Sequence, residues 1–257
     1  MPFNKILVAY YTMIRREFVR IIRIWSQTLL PPVVTMSLYF IIFGGFIGSQ
    51  IGDIHGFSYM QFIVPGLVMM AIITSAYMNT VSTFYFAKWV RTIDEVLVSP
   101  MPNWVVMAGF VSGGILRAGL VGILVTVTSL FFTHLALVNI FIVFFAAFLT
   151  ALVFSLAGLV NGFYAKSFDA ISIVPTFVLT PLTYLGGVFY SIDQLPPFWG
   201  AVSQFNPILY MVNAFRYGFL GVSDVNVMLS FGILIGLTVV LMALVLWLFK
   251  RGVGLKN

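Results

Sequence analysis

The chain has 257 residues, of which 61% are hydrophobic and 8% are charged, and its mean hydropathy is +1.09. A soluble domain carries about 25% charged residues, so this composition excludes a water-soluble globule. Lys and Arg outnumber Asp and Glu by 13 to 7, and the absence of cysteine excludes disulfides and Cys-ligated metals. Because the basic residues flank apolar runs, we predict an all-α polytopic membrane protein and not a nucleic-acid-binding protein.

The first predicted element is an amphipathic helix, over residues 5–26, that lies in the membrane surface. Its apolar residues recur at three- and four-residue steps and its basic residues fall on the opposite face. The apolar face comprises Leu7, Tyr10, Tyr11, Ile14, Phe18, Ile21 and Trp25, and the basic face comprises Lys5, Arg16, Arg20 and Arg23. Two interpretations stay open: a topology anchor with no further role, or a collar around the bundle that touches a cytoplasmic partner.

Six apolar runs follow, and each is long enough to cross the hydrocarbon core, because about 20 helical residues span about 30 Å. The predicted spans are residues 28–48, 59–85, 105–132, 139–164, 171–190 and 227–249. Cytoplasmic loops carry an excess of Lys and Arg, which sets the orientation. Eleven basic residues lie on one side of these spans: Lys5, Arg15, Arg16, Arg20, Arg23, Lys88, Arg91, Lys166, Lys250, Arg251 and Lys256. Both termini are therefore predicted to be cytoplasmic.

Residues 86–104 form the largest polar segment between two spans on this cytoplasmic side. Arg91 and Glu95 are spaced to pair on a helix, and Pro100 would end that helix. A plain turn is the alternative, but a tight connection needs only about four residues. A charged, partly apolar helix that faces the cytosol favours docking into a partner.

Residues 191–226, between spans five and six, contain too many aromatic and apolar residues for a solvated outer loop. Prolines set the bends, and Pro207 can begin a helix at its first turn. We predict a re-entrant helical hairpin, whose backbone must be buried in protein or line a cavity. Its aromatic residues either form an interface belt, which we favour, or touch a substrate; they are Phe189, Tyr190, Phe198, Trp199 and Tyr210.

Motifs for catalysis and nucleotide binding are missing from the sequence. It contains no phosphate-binding loop with Gly-Lys-Ser/Thr, no His-Glu-x-x-His and no Gly-x-Ser-x-Gly. We therefore predict no catalytic, cofactor-binding or metal site in this chain, and we expect His55 and His134, in outer loops, to be solvated. Arg117 is the one charge well inside a predicted span, where it either faces the bundle interior or extends toward the cytoplasmic interface.

Glycine pairs at four-residue spacing occur in four of the predicted spans. They are Gly44/Gly48, Gly109/Gly113, Gly158/Gly162 and Gly232/Gly236. Such pairs let membrane helices approach closely. Packing within one chain is the expected use of most of them, and one or two could lie at a subunit interface.

The most specific pattern is a spaced run of residues across the end of span five and the outer hairpin. The run comprises Leu179, Leu182, Leu185, Gly186, Gly187, Val188, Leu195, Pro196, Pro207, Ile208, Leu209, Tyr210 and Arg216. In identity and spacing it resembles the signature of the ABC-2 type exporter permeases. The resemblance extends over essentially the whole chain.

This resemblance implies a single ABC-2 type transmembrane domain, over residues 1–257, that pairs with a second copy and with two copies of a separate ATP-binding cassette subunit. ATP and Mg would belong to that partner. Contacts to it would come from Arg91, Asp94, Glu95, Leu97, Lys166 and Asp169. The signature residues at the outer gate would be Gly186, Gly187, Pro196, Pro207, Tyr210 and Arg216.

The implied function is that of an ATP-driven export permease in the bacterial cytoplasmic (inner) membrane. The alternative is a stand-alone secondary carrier or a membrane enzyme without an ATPase partner. It is weakened because no carboxylate lies in the middle of a predicted span, where ion-driven carriers usually need one. Drugs, glycolipids and polysaccharides all remain open as substrates.

Overall fold

The computed structural model describes residues 3–48 and 50–254, so that Lys256, one of the basic residues used to orient the chain, lies outside it. All long elements in these two ranges are helices, and the extended pairing found there is one isolated bridge between Ile54 and Phe57. Five of the helices are long and apolar enough to cross a membrane. The chain is an all-helical polytopic membrane protein, as predicted.

The described residues form one short 3₁₀ turn, Ile192–Gln194, and ten longer helices. In chain order these are α1 Phe3–Arg23, α2 Trp25–Ile47, α3 Tyr59–Trp89, α4 Thr92–Val98, α5 Asn103–Ser129, α6 Ile140–Tyr164, α7 Phe168–Tyr184, α8 Pro197–Gln204, α9 Pro207–Leu220 and α10 Val227–Arg251. The five long apolar helices are α2, α3, α5, α6 and α10. Following the predicted topology, we call the end of the bundle that carries residues 88–103 and 164–168 the inner end, and the end that carries residues 184–226 the outer end.

Helix α7 differs from the predicted fifth span, residues 171–190. It begins at Phe168, ends at Tyr184 and widens into a π-helical turn between Pro175 and Leu179. Proline lacks the N–H group that an α-helix needs, which accounts for the irregular hydrogen bonding at this point. The last predicted residues instead form a turn that contains Gly187 with φ +70°. Helix α7 is near the minimum length for a helix that crosses a membrane. The total of six spans therefore stays a prediction.

Helix α3 is the centre of the bundle, because its side chains are buried along most of its length. It packs against α5 and α6 through small residues. A Cβ atom at Gly158 of α6 would lie 2.7 Å from the carbonyl oxygen of Tyr77, and one at Gly114 of α5 would overlap Thr80 and Ser155. Close backbone approach therefore holds the centre together, as expected for helices in lipid. Gly232 and Gly236 on the peripheral helix α10 touch nothing in this way.

Helix α1 lies along α5, and the glycine pair of that helix makes room for it. Met13 and Glu17 are buried against it: a Cβ atom at Gly109 would lie 2.5 Å from Met13, and one at Gly113 would lie 2.8 Å from Glu17. The predicted apolar face is largely exposed, at Leu7, Tyr11, Phe18 and Trp25, and forms the flank that a membrane would cover. Thus α1 has three sides: one apolar, one basic and one packed on the bundle.

Candidate functional site

The predicted docking segment forms a short helix, α4, at the inner end. It begins after Arg91, whose φ of 60° is left-handed, and ends at Val98, before Pro100. Ile93 is buried and anchors α4 to the bundle, and the Thr92 hydroxyl donates to the carbonyl oxygen of Ala87 over 3.3 Å. Val96 and Leu97 are partly buried against the same apolar cluster, so α4 packs on the bundle through one apolar side.

The outward side of α4 carries the charged residues that the sequence selected. Arg91, Asp94 and Glu95 are exposed, Leu97 is half-buried, and the apolar side chain of Val98 is 88% exposed. The predicted Arg91–Glu95 ion pair is not among those found in the described residues, because Arg91 precedes the helix and its backbone is not helical. Both charges are thus available to a partner.

The second predicted contact segment lies beside the first. Lys166 and Asp169 are exposed, and between them in the chain the ring of Phe168 packs edge-on against Trp89, with 5.6 Å between centroids. The Lys88 ammonium group donates to the carbonyl oxygens of Gly162 and Phe163 over 2.9 and 2.8 Å, which caps the end of α6. The structure therefore brings the two predicted segments together on one surface, which we call the inner surface (residues 89–98 and 166–169).

At the outer end, Arg216 of α9 is fully buried and connects three parts of the chain. Its Nη2 atom donates to the carbonyl oxygen of Gly187 over 2.6 Å, and its Nε atom donates to that of Phe62 over 3.3 Å. Its guanidinium lies 3.9 Å from the centre of the Phe62 ring, and its Nη1 atom lies 3.9 Å from Oδ2 of Asp224. Burial lowers the pKa of Arg216 to about 10, although Asp224 favours the charged form, so the side chain stays protonated at neutral pH.

The other signature residues shape the same hairpin. Gly187 adopts the left-handed backbone that favours glycine, and a Cβ atom at Gly186 would lie 2.8 Å from Ile208. Pro207 begins α9, as predicted, and the Tyr210 hydroxyl donates to the carbonyl oxygen of Gln204 over 2.8 Å. Pro196 is exposed and directly precedes α8. The signature therefore encodes the packing of α9 against the turn after α7.

Sequence reasoning missed the acceptor that organises this end. The Asp224 carboxylate accepts from the Ser191 hydroxyl over 2.9 Å and from the backbone N–H of Ile192 over 3.1 Å, and His55 Nε2 lies 3.3 Å from it. His55 is thus paired, and not simply solvated as expected. No short-range pattern could show this, because His55 and Ser191 are 136 residues apart.

Among the described residues, His55, Asp193 and Asp224 place potential metal-ligand atoms within 4.8 Å of one another. The Asp224 carboxylate, however, already accepts bonds from Ser191 and Ile192 and faces the guanidinium of Arg216. A cation at this point would compete with that guanidinium. We therefore interpret the cluster as an ion-pair network that closes the hairpin, and not as a metal centre.

Arg117 lies near the base of α2. Its Nη2 atom donates to the carbonyl oxygen of Thr28 over 3.1 Å, just before the break in α2 at Leu29. Arg117 thus faces the junction of α1 and α2, and a role in a transport pathway remains a prediction.

A bundle with five helices long and apolar enough to cross a membrane defines an integral membrane protein. Residues 8–220 match the sequence model of the ABC-2 type transporters, and the chain belongs to that family. The resemblance deduced from the signature is thereby confirmed.

Relatives of the chain include a transport permease that it matches over nearly its whole length. It is 57% identical over 251 residues to the inner membrane transport permease YadH of Escherichia coli K12, a match that covers 97% of this chain and 98% of the relative. It is 28% identical to nodulation protein J of Rhizobium leguminosarum bv. viciae, over 77% of this chain and 76% of that protein. The chain is a transport permease and a multi-pass protein of the bacterial inner membrane.

Proposed function

We propose that this permease is the membrane subunit of an ATP-driven export system and that the inner surface receives a separate ATP-binding cassette subunit. The observation that carries the proposal is the inner surface itself, where Arg91, Asp94 and Glu95 project beside Lys166 and Asp169. Membership of the ABC-2 family supports this kind of partner. ATP and Mg would bind to the partner, which would supply the hydrolysis.

A path for transmitting motion begins at Ile93, the buried residue of α4. Ile93 belongs to one apolar cluster with Phe84 of α3, Phe110 of α5, Phe163 of α6 and Phe249 of α10. The rings touch in sequence: Phe84 lies 5.2 Å from Phe110 and 4.7 Å from Phe163, which lies 4.8 Å from Phe249. Because such packed clusters deform little, displacement of α4 by a partner would move the inner ends of four helices together.

The outer hairpin would form the extracellular gate, and two copies of the chain would enclose the pathway. Support comes from the contrast between its two helices: α9 is buried almost throughout, whereas Phe198 and Trp199 of α8 and Phe205 just after it are exposed. Arg216 would hold α9 to α3 while α8 moves. The carrier alternative gains nothing from the described residues. Their buried carboxylates, Glu17 and Asp224, lie on α1 and in the outer hairpin, and each one faces an arginine.

Co-purification from native membranes tests the proposed partnership. The tagged chain should retain one ATP-binding cassette protein, identified by mass spectrometry. Reversing the charge of Asp94 and Glu95 together (D94R/E95R) should abolish this retention, because both side chains are exposed on α4. Asp53→Arg, at an exposed position in the predicted outer loop between the first two spans, is the control and should retain the partner. The proposal is contradicted if the unaltered chain retains no cassette protein, or if D94R/E95R retains it fully while eluting as a single folded species.

A further inference from the structure

The basic side of α1 forms a groove that the proposed coupling does not use. Its volume is about 530 Å³, and it is lined by Thr12, Arg15, Arg16, Val19, Arg20, Arg23 and Ile24. No acidic side chain is among these lining residues. The nearest acid, Glu17, lies 2.7 Å from Nη2 of Arg20 and 3.6 Å from Nη2 of Arg16, but it is turned toward α5 with 2% of its side chain exposed, so one carboxylate from behind the groove serves both arginines. Four guanidinium groups therefore border a groove that offers them no exposed counter-charge.

Hydrogen-bond donors also outnumber acceptors behind this groove. Within the described residues, Nε of Arg20, Nδ2 of Asn79 and Nε of Arg117 are buried without a hydrogen-bond partner. Arg20 connects them to the groove, because its Nη2 atom donates to Oδ1 of Asn79 over 2.9 Å and to Glu17 over 2.7 Å. Asn79 is 1% exposed, so bulk water does not supply the missing acceptors. Positive charge and unused donors thus surround Arg20.

An acceptor-rich anion would supply the counter-charge that the groove lacks. Guanidinium groups bind phosphate oxygens through paired, charge-assisted hydrogen bonds. No exposed carboxylate of the groove takes the place of such a phosphate. Arg16 and Arg23 are exposed and stand beside Arg20 on α1. These three side chains can surround one phosphate group from the open side of the groove.

The neighbouring side of α1 indicates where such a phosphate would come from. Phe18 and Ile22 are 46 and 47% exposed there, and Trp25, the first residue of α2, continues this flank with 55% exposure. A helix with this apolar flank lies in the membrane surface, where lipid headgroups are the nearest anions. A ligand with a phosphate head and acyl chains would match the groove and the flank at once.

We propose that the groove on α1 is a binding site for a phosphate group, held by Arg16, Arg20 and Arg23, and that a membrane lipid at the inner end supplies it. A soluble phosphate ester shares the same chemistry and is the other source. The site is independent of the ATPase partner, since its residues lie on α1 and not on the inner surface. It is also a discrete site and not a general attraction of basic residues to the membrane.

Lipid binding to the purified full-length chain tests this site. Three probes distinguish the sources: phosphatidylglycerol, diacylglycerol, which lacks phosphate, and glycerol 3-phosphate, which lacks acyl chains. Native mass spectrometry should show tight binding of phosphatidylglycerol, weakened about tenfold or more in R16Q/R23Q, since each charge-assisted hydrogen bond lost costs about a factor of ten. Lys5→Gln removes a charge from α1 outside the groove and should change binding by less than about twofold.

The outcomes separate the alternatives. Binding of phosphatidylglycerol that glycerol 3-phosphate does not displace assigns the site to a lipid phosphate, whereas displacement at similar concentrations assigns it to a soluble ester. Equal binding of diacylglycerol, or an equal loss in Lys5→Gln and R16Q/R23Q, overturns the proposal. Arg20→Lys is a second variant: it keeps the charge, but one ammonium group cannot bind Glu17 and Asn79 as the guanidinium does and also donate to a phosphate, so it should also weaken the binding of phosphatidylglycerol.

Discussion

A single arginine side chain, Arg216, ties the outer hairpin to the centre of the bundle. Its planar group reaches two carbonyl oxygens, one aromatic ring and one carboxylate at the same time. Lysine has one point charge and cannot reproduce this geometry. The presence of Arg216 in the signature is therefore explained by its structural role. Arg216 lies at the proposed gate because it connects the outer hairpin to α3.

Replacing Arg216 with methionine should lower the stability of the folded chain by about 3 kcal/mol, because the change leaves buried Asp224 without its nearest permanent positive charge. Thermal unfolding in detergent measures the effect as a fall in the midpoint. Lys5→Met, on the exposed face of α1, is the control and should unfold near the temperature of the unaltered chain. Equal midpoints for both variants would show that Arg216 does not stabilise the fold in this way.

The features of individual helices that depend on neighbouring residues can be predicted from the sequence. The amphipathic pattern of α1, the stop before Pro100 and the start at Pro207 all appear in the structure, because periodicity and proline act over a few residues. The predicted fifth span extends beyond the end of α7 at Tyr184. An apolar stretch that includes Gly186 and Gly187 is compatible both with a span and with a buried turn.

Pairings between distant residues could not be predicted. Arg20 and Asn79 are 59 residues apart, and Arg216 and Phe62 are 154 apart. Glu17 sits next to Arg16 in the sequence and therefore looks like part of a solvated, charged helix face. Its burial depends on Gly113 of α5, whose missing side chain leaves the space that Glu17 fills.

Enlarging Gly113 should detach α1 from the bundle. Gly113→Leu would place carbon atoms where the Glu17 side chain now lies, 2.8 Å from the glycine Cβ position. Hydrogen exchange of the α1 amides should then become faster by about tenfold or more, since local opening needs less free energy. Gly119→Leu lies on the same helix, in open space, and should leave α1 protected. Unchanged exchange in Gly113→Leu would refute this account of the packing.

At the scale of the whole molecule, the charges of the chain collect at the end that the basic residues predict to be cytoplasmic. This topology can be tested directly, because the chain has no cysteine and a single introduced thiol is unique. Val98 and Phe205 are 88% and 90% exposed, at the inner and outer ends. A membrane-impermeant maleimide added to whole, outer-membrane-permeabilised cells should label Phe205→Cys but not Val98→Cys. The reverse pattern would invert the predicted orientation.

The same two variants test most directly the claim that an ATP-binding cassette subunit docks on the inner surface. Each thiol is labelled with a photo-crosslinking maleimide in opened membranes, and the crosslinked products are identified by mass spectrometry. We expect Val98→Cys to be crosslinked to an ATP-binding cassette protein and Phe205→Cys to give no such product. Crosslinking of that protein to Phe205→Cys, or its absence from the Val98→Cys products, would show that it does not dock on the inner surface.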